Sequence, residues 1–275
     1  MRLMLSAAML AMAAPAPAQA PGGDIVVQGR KEIESKAARQ FVTKAMPPLQ
    51  GQYARFRNPV CPQVSGMPEE YARRMTDRMR AVAEAAGMPV DKPGCRGNVM
   101  IFLVEDGKAF VNGLHQAKPA LFQSIDQSDL RHLLNDAAPV RTWTTTHIAN
   151  EDGMGMQGGT MFVQSASIIL LPTTQLIDGA IVVIDQAAAV GKTLTQLSDY
   201  AAMRAFARTR PMSAADSDSI LALFDPAATL LPRRMTAMDA SFLKGLYRGK
   251  GNRKWSDQTR IIAKSMARDG KAAER

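Results

Sequence analysis

The sequence predicts an α+β protein in which helices pack against a mixed β-sheet. Two apolar runs, at residues 99–104 and 180–184, have the length of strands buried on both faces, and a helix-like segment follows each. Residues 140–148 and 161–171 are rich in threonine and β-branched residues, with glycines over 153–159 between them. We therefore expect these two segments to pair as a hairpin, which adds antiparallel strands to the βα units.

Seven helices are predicted along the chain from apolar periodicity and end signals. The first is terminated by Pro47-Pro48, and the fifth opens with Thr193 and Gln196 at the spacing of a capping box. Their approximate bounds are 31–46, 68–86, 108–116, 128–136, 193–208, 236–248 and 255–268.

The second of these helices shows the clearest two-sided pattern. Pro68 occupies a first-turn position and Gly87 follows as a stop. The predicted buried stripe is Tyr71, Met75, Met79, Val82 and Ala86, and the predicted solvent face carries Arg73, Arg74, Asp77, Arg78 and Arg80.

The composition is that of an ordinary folding chain. Its 275 residues are 46% hydrophobic and 21% charged, with 34 Lys+Arg, 25 Asp+Glu and a formal net charge of +9. Two cysteines and three histidines do not favour a cysteine-dense scaffold or a histidine-rich metal site. We accordingly predict no cofactor and no metal ligands.

The first 20 residues resemble a secretory signal peptide. Arg2 precedes an apolar run, and small residues allow cleavage after Ala18 or Ala20. The predicted organisation is a signal peptide (1–20), an N-terminal segment with a helix (21–50), a single α+β domain (51–247) and a basic helical tail (248–275). The expected location is periplasmic or secreted, with no transmembrane segment in the mature chain.

Cys61 and Cys95 are the only cysteines. In an exported chain an isolated pair is more often bridged than free, so we predict a structural disulfide.

The excess positive charge lies in the tail. Residues 248–275 contain nine Lys+Arg and three Asp+Glu. Trp255, Ile261, Ile262 and Met266 are predicted on the opposite side from a basic face made of Arg260, Lys264, Arg268 and Lys271. One interpretation of this basic face is an ordinary terminal helix whose charges are solvated. The functional interpretation is that the face is attracted to anionic envelope lipid or to an acidic protein partner. Nucleic acid is the less favoured anion in this compartment.

Several segments resemble uncharacterised secreted proteins of alphaproteobacteria, a family with no assigned activity to transfer. The resemblance covers most of the mature chain and is carried by residues 23–30, 51–56, 59–62 and 197–204.

The C-terminal half also resembles zincin metalloproteases, in which a strand precedes a helix carrying His-Glu-x-x-His. Residues 180–184 correspond to the strand, 219–224 to a later turn, and 235–247 to the last helix. Ser198 and Ala202 stand at the two histidine positions, and Asp199 stands at the glutamate. The resemblance therefore implies a zinc-free relative, with Ser198, Asp199 and Tyr200 as the candidate pseudo-site.

No residue is predicted to be catalytic. The leading hypothesis is a non-catalytic exported binding or envelope-associated module. The alternative is an exported hydrolase, including a degenerate zincin-like peptidase relative, whose site is assembled from residues distant in sequence.

Overall fold

The computed structural model describes residues 33–156, 160–163, 170–215 and 218–272. The predicted signal peptide and the segment that follows it to residue 32 lie outside the described residues. Within the described part of the chain, no helix is long and apolar enough to cross a membrane.

The helices are α1 (Ser35–Ala45), α2 (Glu69–Ala85), α3 (Gly107–Ala117), α4 (Gln127–Asn135), α5 (Gln186–Ala189), α6 (Leu194–Phe206), α7 (Ala237–Arg248) and α8 (Trp255–Ala272). Short 3-10 turns cover Pro119–Phe122 and Ile220–Ala222. The strands are β1 (Arg55–Phe56), β2 (Pro62–Ser65), β3 (Val99–Val104), β4 (Val140–Asn150) and β5 (Thr173–Asp185).

The five strands form one mixed sheet, which confirms the α+β prediction. β3 pairs in parallel with β2 on one side and with β5 on the other, and β1 extends the same edge of β5. β4 runs antiparallel to β5 along the opposite edge. The sheet therefore ends, on that side, at β4.

The prediction that residues 161–171 pair with β4 as a hairpin is wrong. β4 pairs with β5 from Asn150↔Thr173 to Val140↔Ile184, so the apolar run at 180–184 supplies the second strand. Residues 161–163, 170 and 171 are not strand, and 164–169 lie outside the described residues. The physical reason is that a strand buried on both faces needs neighbours on both edges, and β5 gains β3 and β4 there.

The sheet separates two hydrophobic clusters. Alternate residues of β3 contribute to each, since Val99, Ile101 and Leu103 belong to the larger cluster, whereas Phe102 packs against the smaller one. The larger cluster, called the main core below, includes residues of α1, α2, α6, α7 and α8. The smaller one lies under α3 and α4 and is centred on Phe122 stacked against Trp143, with ring centroids 4.9 Å apart.

The predicted disulfide between Cys61 and Cys95 is present. It ties the residue before β2 to the loop that leads into β3, across a sequence separation of 34. In the chain-entropy account, closing a loop of this length stabilises the fold by about 3 to 4 kcal/mol.

α1 and α8 pack together and contribute to the main core. Ile262 and Met266 of α8 are buried in it, as is Phe41 of α1. The predicted domain boundaries at 50/51 and 247/248 therefore pass through one continuous core. Deleting the tail would remove part of that core, so the basic face has to be tested by substitution.

Two aromatic residues that were predicted on the apolar faces of their helices are exposed. Trp255 is 40% exposed at the start of α8, and Tyr71 is 45% exposed near the start of α2. Both stand in a first helical turn, where the core no longer covers the predicted stripe. The capping box of Thr193 and Gln196 at the start of α6 is present as predicted.

Candidate functional site

α6 places the predicted pseudo-site inside the protein. Ser198, Asp199 and Tyr200 are each at most 1% exposed. The Ser198 hydroxyl donates to the Leu194 carbonyl oxygen at 2.6 Å, which is a bond within the helix. Of the described hydrogen bonds of these three side chains, only those of Asp199 reach other elements of the fold.

Asp199 holds α2 against α6. Its two carboxylate oxygens accept hydrogen bonds from Nε and Nη2 of Arg78, at 2.7 and 3.0 Å, and one also accepts from the Met235 backbone N–H at 2.6 Å. The prediction that Arg78 faces water is wrong, because its guanidinium turns inward to the buried carboxylate. The cause is that an isolated buried carboxylate is far too costly to leave unpaired.

A cavity of about 380 Å³ lies beyond Arg78, between α2, α7 and α8, and Ser198, Asp199 and Tyr200 do not line it. Asp269 lines it, and its carboxylate lies 3.7 Å from Lys244 Nζ and 3.5 Å from Arg248 Nη1. Asp269 thus offsets part of the positive charge of Lys244 and Arg248 at this cavity.

The three histidines do not converge. His132 Nδ1 lies 3.2 Å from Asp136, His147 Nδ1 lies 2.8 Å from Asp178, and the His115 ring packs against Phe122. Among the described residues, no three His, Cys, Asp or Glu side chains come close enough together to hold a metal ion.

A groove runs along the outer edge of β4. It consists of two adjoining cavities of about 570 and 710 Å³, which share Ser124, Ile125, Asp129, Arg208 and Arg210 among their lining residues. We call the first the arginine cavity, because it is lined by Arg141, Arg204, Arg208 and Arg210. We call the second the glutamine cavity, because it is lined by Gln50, Gln123 and Gln175.

The alternation of β4 explains which side chains meet in the arginine cavity. Val140 belongs to the main core and Trp143 to the cluster on the other face. Thr142 and Thr144 therefore share the face of Val140, against which α6 packs. The last turn of α6 brings Arg204 to the same cavity.

Unpartnered buried polar atoms concentrate in this cavity. Among the described residues, six buried side-chain nitrogen or oxygen atoms have no hydrogen-bond partner, and four belong to residues that line it. The four are Nε of Arg141, Nε of Arg204, and the hydroxyl oxygens of Thr142 and Thr144. Native proteins leave few such groups unpaired, so a bound water or a ligand is needed to satisfy them here.

Arg204 is the most unusual member. It is 6% exposed, its Nη1 donates to the Tyr200 hydroxyl at 2.7 Å, and it forms no ion pair with any described carboxylate. Arg78 shows how the same side chain is normally satisfied, because its Nε and Nη2 both bond one carboxylate. The Nε–H of Arg204 is buried and has no acceptor among the described residues. An oxyanion in the cavity would pair with this edge of the guanidinium once the side chain turns toward it.

The guanidinium of Arg141 has more hydrogen-bond and charge partners within the protein than that of Arg204. Its Nη1 and Nη2 donate to the carbonyl oxygens of Ala138 and Asp136, both at 2.7 Å, and Asp185 lies 3.8 Å away. It supplies positive potential from the side of the groove formed by α4.

Arg208 stands where the two cavities meet. Burial lowers the pKa of its guanidinium, and the attraction of the Asp129 carboxylate, 3.7 Å away, offsets only part of this effect. Arg208 has φ of 47°, as does Gln50 in the glutamine cavity, and no other described non-glycine residue has a positive φ. Arg208 directly follows the C-cap residue of α6, and Gln50 lies in the tight turn between Leu49 and Gln52, and left-handed backbone is common at both kinds of position.

The arginine cavity was not predicted from the sequence. Its cations come from β4, from α6 and from the residues after α6, with no spacing that a motif would capture. One signal was present: Arg204 is the only charged residue in the apolar stretch 201–207. A charge in such a stretch is rarely buried without a partner or a ligand.

No protein-family model, no curated protein and no solved structure matches the chain. The resemblances to secreted alphaproteobacterial proteins and to zincins therefore rest on the sequence segments given above.

Proposed function

We propose that the protein is an exported, non-catalytic binding module whose ligand carries an oxyanion group, either a carboxylate or a phosphate, held in the arginine cavity. The observation that carries this proposal is the buried Arg204 guanidinium, which has no acidic partner among the described residues and shares a cavity with two unpartnered threonine hydroxyls.

The energetic argument concerns the cost of that arrangement. A buried cation without a partner destabilises the fold by several kcal/mol relative to an apolar residue. An anion supplied by a ligand would offset this cost, because it would accept from Arg204 Nε and from the Thr142 and Thr144 hydroxyls. The cavity carries four arginines against Asp129 and Asp136, so its potential favours an anion.

Binding is favoured over hydrolysis because no described hydroxyl is placed where a histidine could activate it. A hydrolase of this kind would need a hydroxyl or water activated by a positioned base. His132 and His147, which line the two cavities, hydrogen-bond to aspartates, and no described hydroxyl lies within hydrogen-bond distance of either ring.

Export is part of the same proposal. It is supported by the signal-like first 20 residues and by the Cys61–Cys95 disulfide, which is typical of oxidising compartments.

Titration calorimetry with acetate and inorganic phosphate tests anion binding. We expect the wild-type protein to bind both, and Arg208→Gln to weaken binding at least about tenfold, since one of the cations that line the cavity is lost. Asp129→Asn should strengthen binding about threefold, because it removes the carboxylate that competes for Arg208. Arg73→Gln, an exposed change on α2, is the matched control and should have no effect. Absence of binding by the wild type, or weaker binding by Asp129→Asn, would contradict the proposal.

A second candidate is attraction of α8 to anionic envelope lipid or an acidic partner. Arg260, Lys264 and Arg268 are exposed, whereas the side chain of Lys271 lies outside the described residues. Asp257 partly neutralises Arg260 at 2.9 Å. Because Ile262 and Met266 are used by the main core, α8 has no free apolar face to insert, and only electrostatic attraction supports this candidate.

Sedimentation with anionic liposomes at low salt tests the α8 candidate. Each clustered cation contributes up to about 1 kcal/mol near an anionic surface, so Arg260→Glu with Lys264→Glu and Arg268→Glu should abolish sedimentation. The control reverses three exposed cations elsewhere, through Lys36→Glu, Arg39→Glu and Arg73→Glu. Equal loss in both triple variants would show that net charge alone is responsible and would exclude the α8 face.

A further inference from the structure

The two cavities of the β4 groove form one continuous binding surface. They share lining residues, and the pair of Asp129 and Arg208 lines both. A ligand whose acid group reaches Arg204 can therefore extend its remaining atoms into the glutamine cavity.

The walls of the glutamine cavity differ in chemistry from those of the arginine cavity. Gln50, Gln123 and Gln175 supply amides, each with donors and acceptors that match those of a peptide group. The apolar part of the lining comes from Pro47, Pro48, Leu49, Ile125 and Ile148. Gln175 Nε2 donates to Gln50 Oε1 at 2.9 Å, and Gln123 is exposed, so the free hydrogen-bonding capacity of this wall is that of Gln123 and of the remaining donor and acceptor atoms of Gln50 and Gln175. A peptide group can pair with these atoms, which an aliphatic chain cannot.

Charge argues against a ligand with several acid groups. Asp126 and Asp129 line the glutamine cavity together with Arg208 and Arg210, so its formal charges balance. Hydrogen bonds from the Asp129 backbone N–H and from Ser128 lower the pKa of the Asp126 carboxyl. A second anionic group would be repelled here, whereas a neutral amide chain would not.

The outer edge of β4 is already capped at its centre. The Ser124 hydroxyl donates to the Thr144 carbonyl oxygen at 3.1 Å and accepts from the Thr146 N–H at 3.2 Å. An incoming chain is therefore not expected to add there as a further strand. Recognition has to come from the end group and from side-chain amides.

The pair at the junction can open at little cost. Arg208 Nη2 and Asp129 Oδ2 are 3.7 Å apart, which is longer than a hydrogen bond, and the Asp129 side chain is 45% exposed. A ligand crossing the junction would accept from Arg208 as Asp129 turns toward solvent.

We propose that the β4 groove binds the carboxyl-terminal end of a peptide, with the terminal carboxylate in the arginine cavity and the preceding residues in the glutamine cavity. This inference rests on the proposed function, because it requires the arginine cavity to hold an oxyanion.

Titration calorimetry of the whole protein with three probes tests it. The probes are acetate, N-acetylated trialanine with a free carboxyl end, and the same peptide with an amidated end. We expect the free acid to bind at least about tenfold more tightly than acetate and than the amidated peptide. Gln123→Ala should weaken binding of the free acid a few-fold without changing that of acetate. Gln116→Ala, an exposed glutamine on α3 outside the groove, is the control and should change neither.

The outcomes separate this inference from the proposed function. Equal affinity for acetate and the free acid would overturn the peptide inference and leave oxyanion binding intact. Equal affinity for the free-acid peptide and the amidated peptide would also overturn it, because the groove would then not recognise the terminal carboxylate. Failure of all three probes to bind, together with failure of phosphate, would refute the proposed function itself.

Discussion

Replacing Arg204 with methionine and Tyr200 with phenylalanine together is expected to abolish anion binding without lowering the melting temperature of the ligand-free protein. The two side chains are buried and joined by the hydrogen bond that Arg204 Nη1 donates to the Tyr200 hydroxyl. Removing both leaves no orphaned hydroxyl, and replacing buried polar partners with apolar groups of similar shape is often neutral or stabilising. If Arg204 is retained for binding, replacing the pair should leave the stability of the ligand-free protein unchanged or raise it.

The single variants complete this experiment. Arg204→Met alone leaves the Tyr200 hydroxyl without its donor and should destabilise by about 1 to 3 kcal/mol. Tyr200→Phe alone leaves the guanidinium without its one protein acceptor and should also destabilise, while anion binding is retained. Thermal unfolding and titration calorimetry on all four proteins measure both properties. A double variant several degrees less stable than wild type that still binds anions would contradict the role given to Arg204.

Arg78→Leu is expected to destabilise the protein by about 3 kcal/mol, because it leaves the carboxylate of Asp199 buried without its cation. The value is at the lower end of the usual range since the Met235 N–H still donates to Asp199. For a chain of this size the melting temperature should fall by about 6 °C or more.

Arg74→Leu is the matched control for that change. Arg74 lies on the same helix and pairs with Glu70 at 2.6 Å, but both side chains are more than half exposed. Such surface pairs contribute about 0 to 1 kcal/mol. Similar losses in the two variants would show that Asp199 is not the cause.

The predictable parts of the fold were those set by local pattern. The periodicity of α2 correctly placed Met75 and Met79 in the core, and the spacing of Thr193 and Gln196 correctly predicted a capping box. Both depend on residues within a few positions of each other, and such interactions are visible in the sequence.

The parts that failed depend on contacts between distant residues. Arg78 belongs by spacing to a solvent face, yet its partner Asp199 lies 121 residues away. The partner of β4 was misassigned because the nearer β-rich segment matched hairpin spacing, whereas the true partner, β5, lies further along the chain. The arginine cavity was missed for the same reason, since β4 and α6 meet only in the folded chain.

The most direct measurement of the central claim is the ¹⁵N–¹H spectrum of the arginine Nε–H groups during titration with acetate. The Arg204 signal can be assigned by its absence from the variant carrying Arg204→Met and Tyr200→Phe. Because the Arg204 Nε–H is the buried donor without a protein acceptor, its resonance is predicted to shift and to saturate with the calorimetric affinity. An Arg204 resonance that does not move while acetate binds would contradict the assignment of the oxyanion site to this cavity.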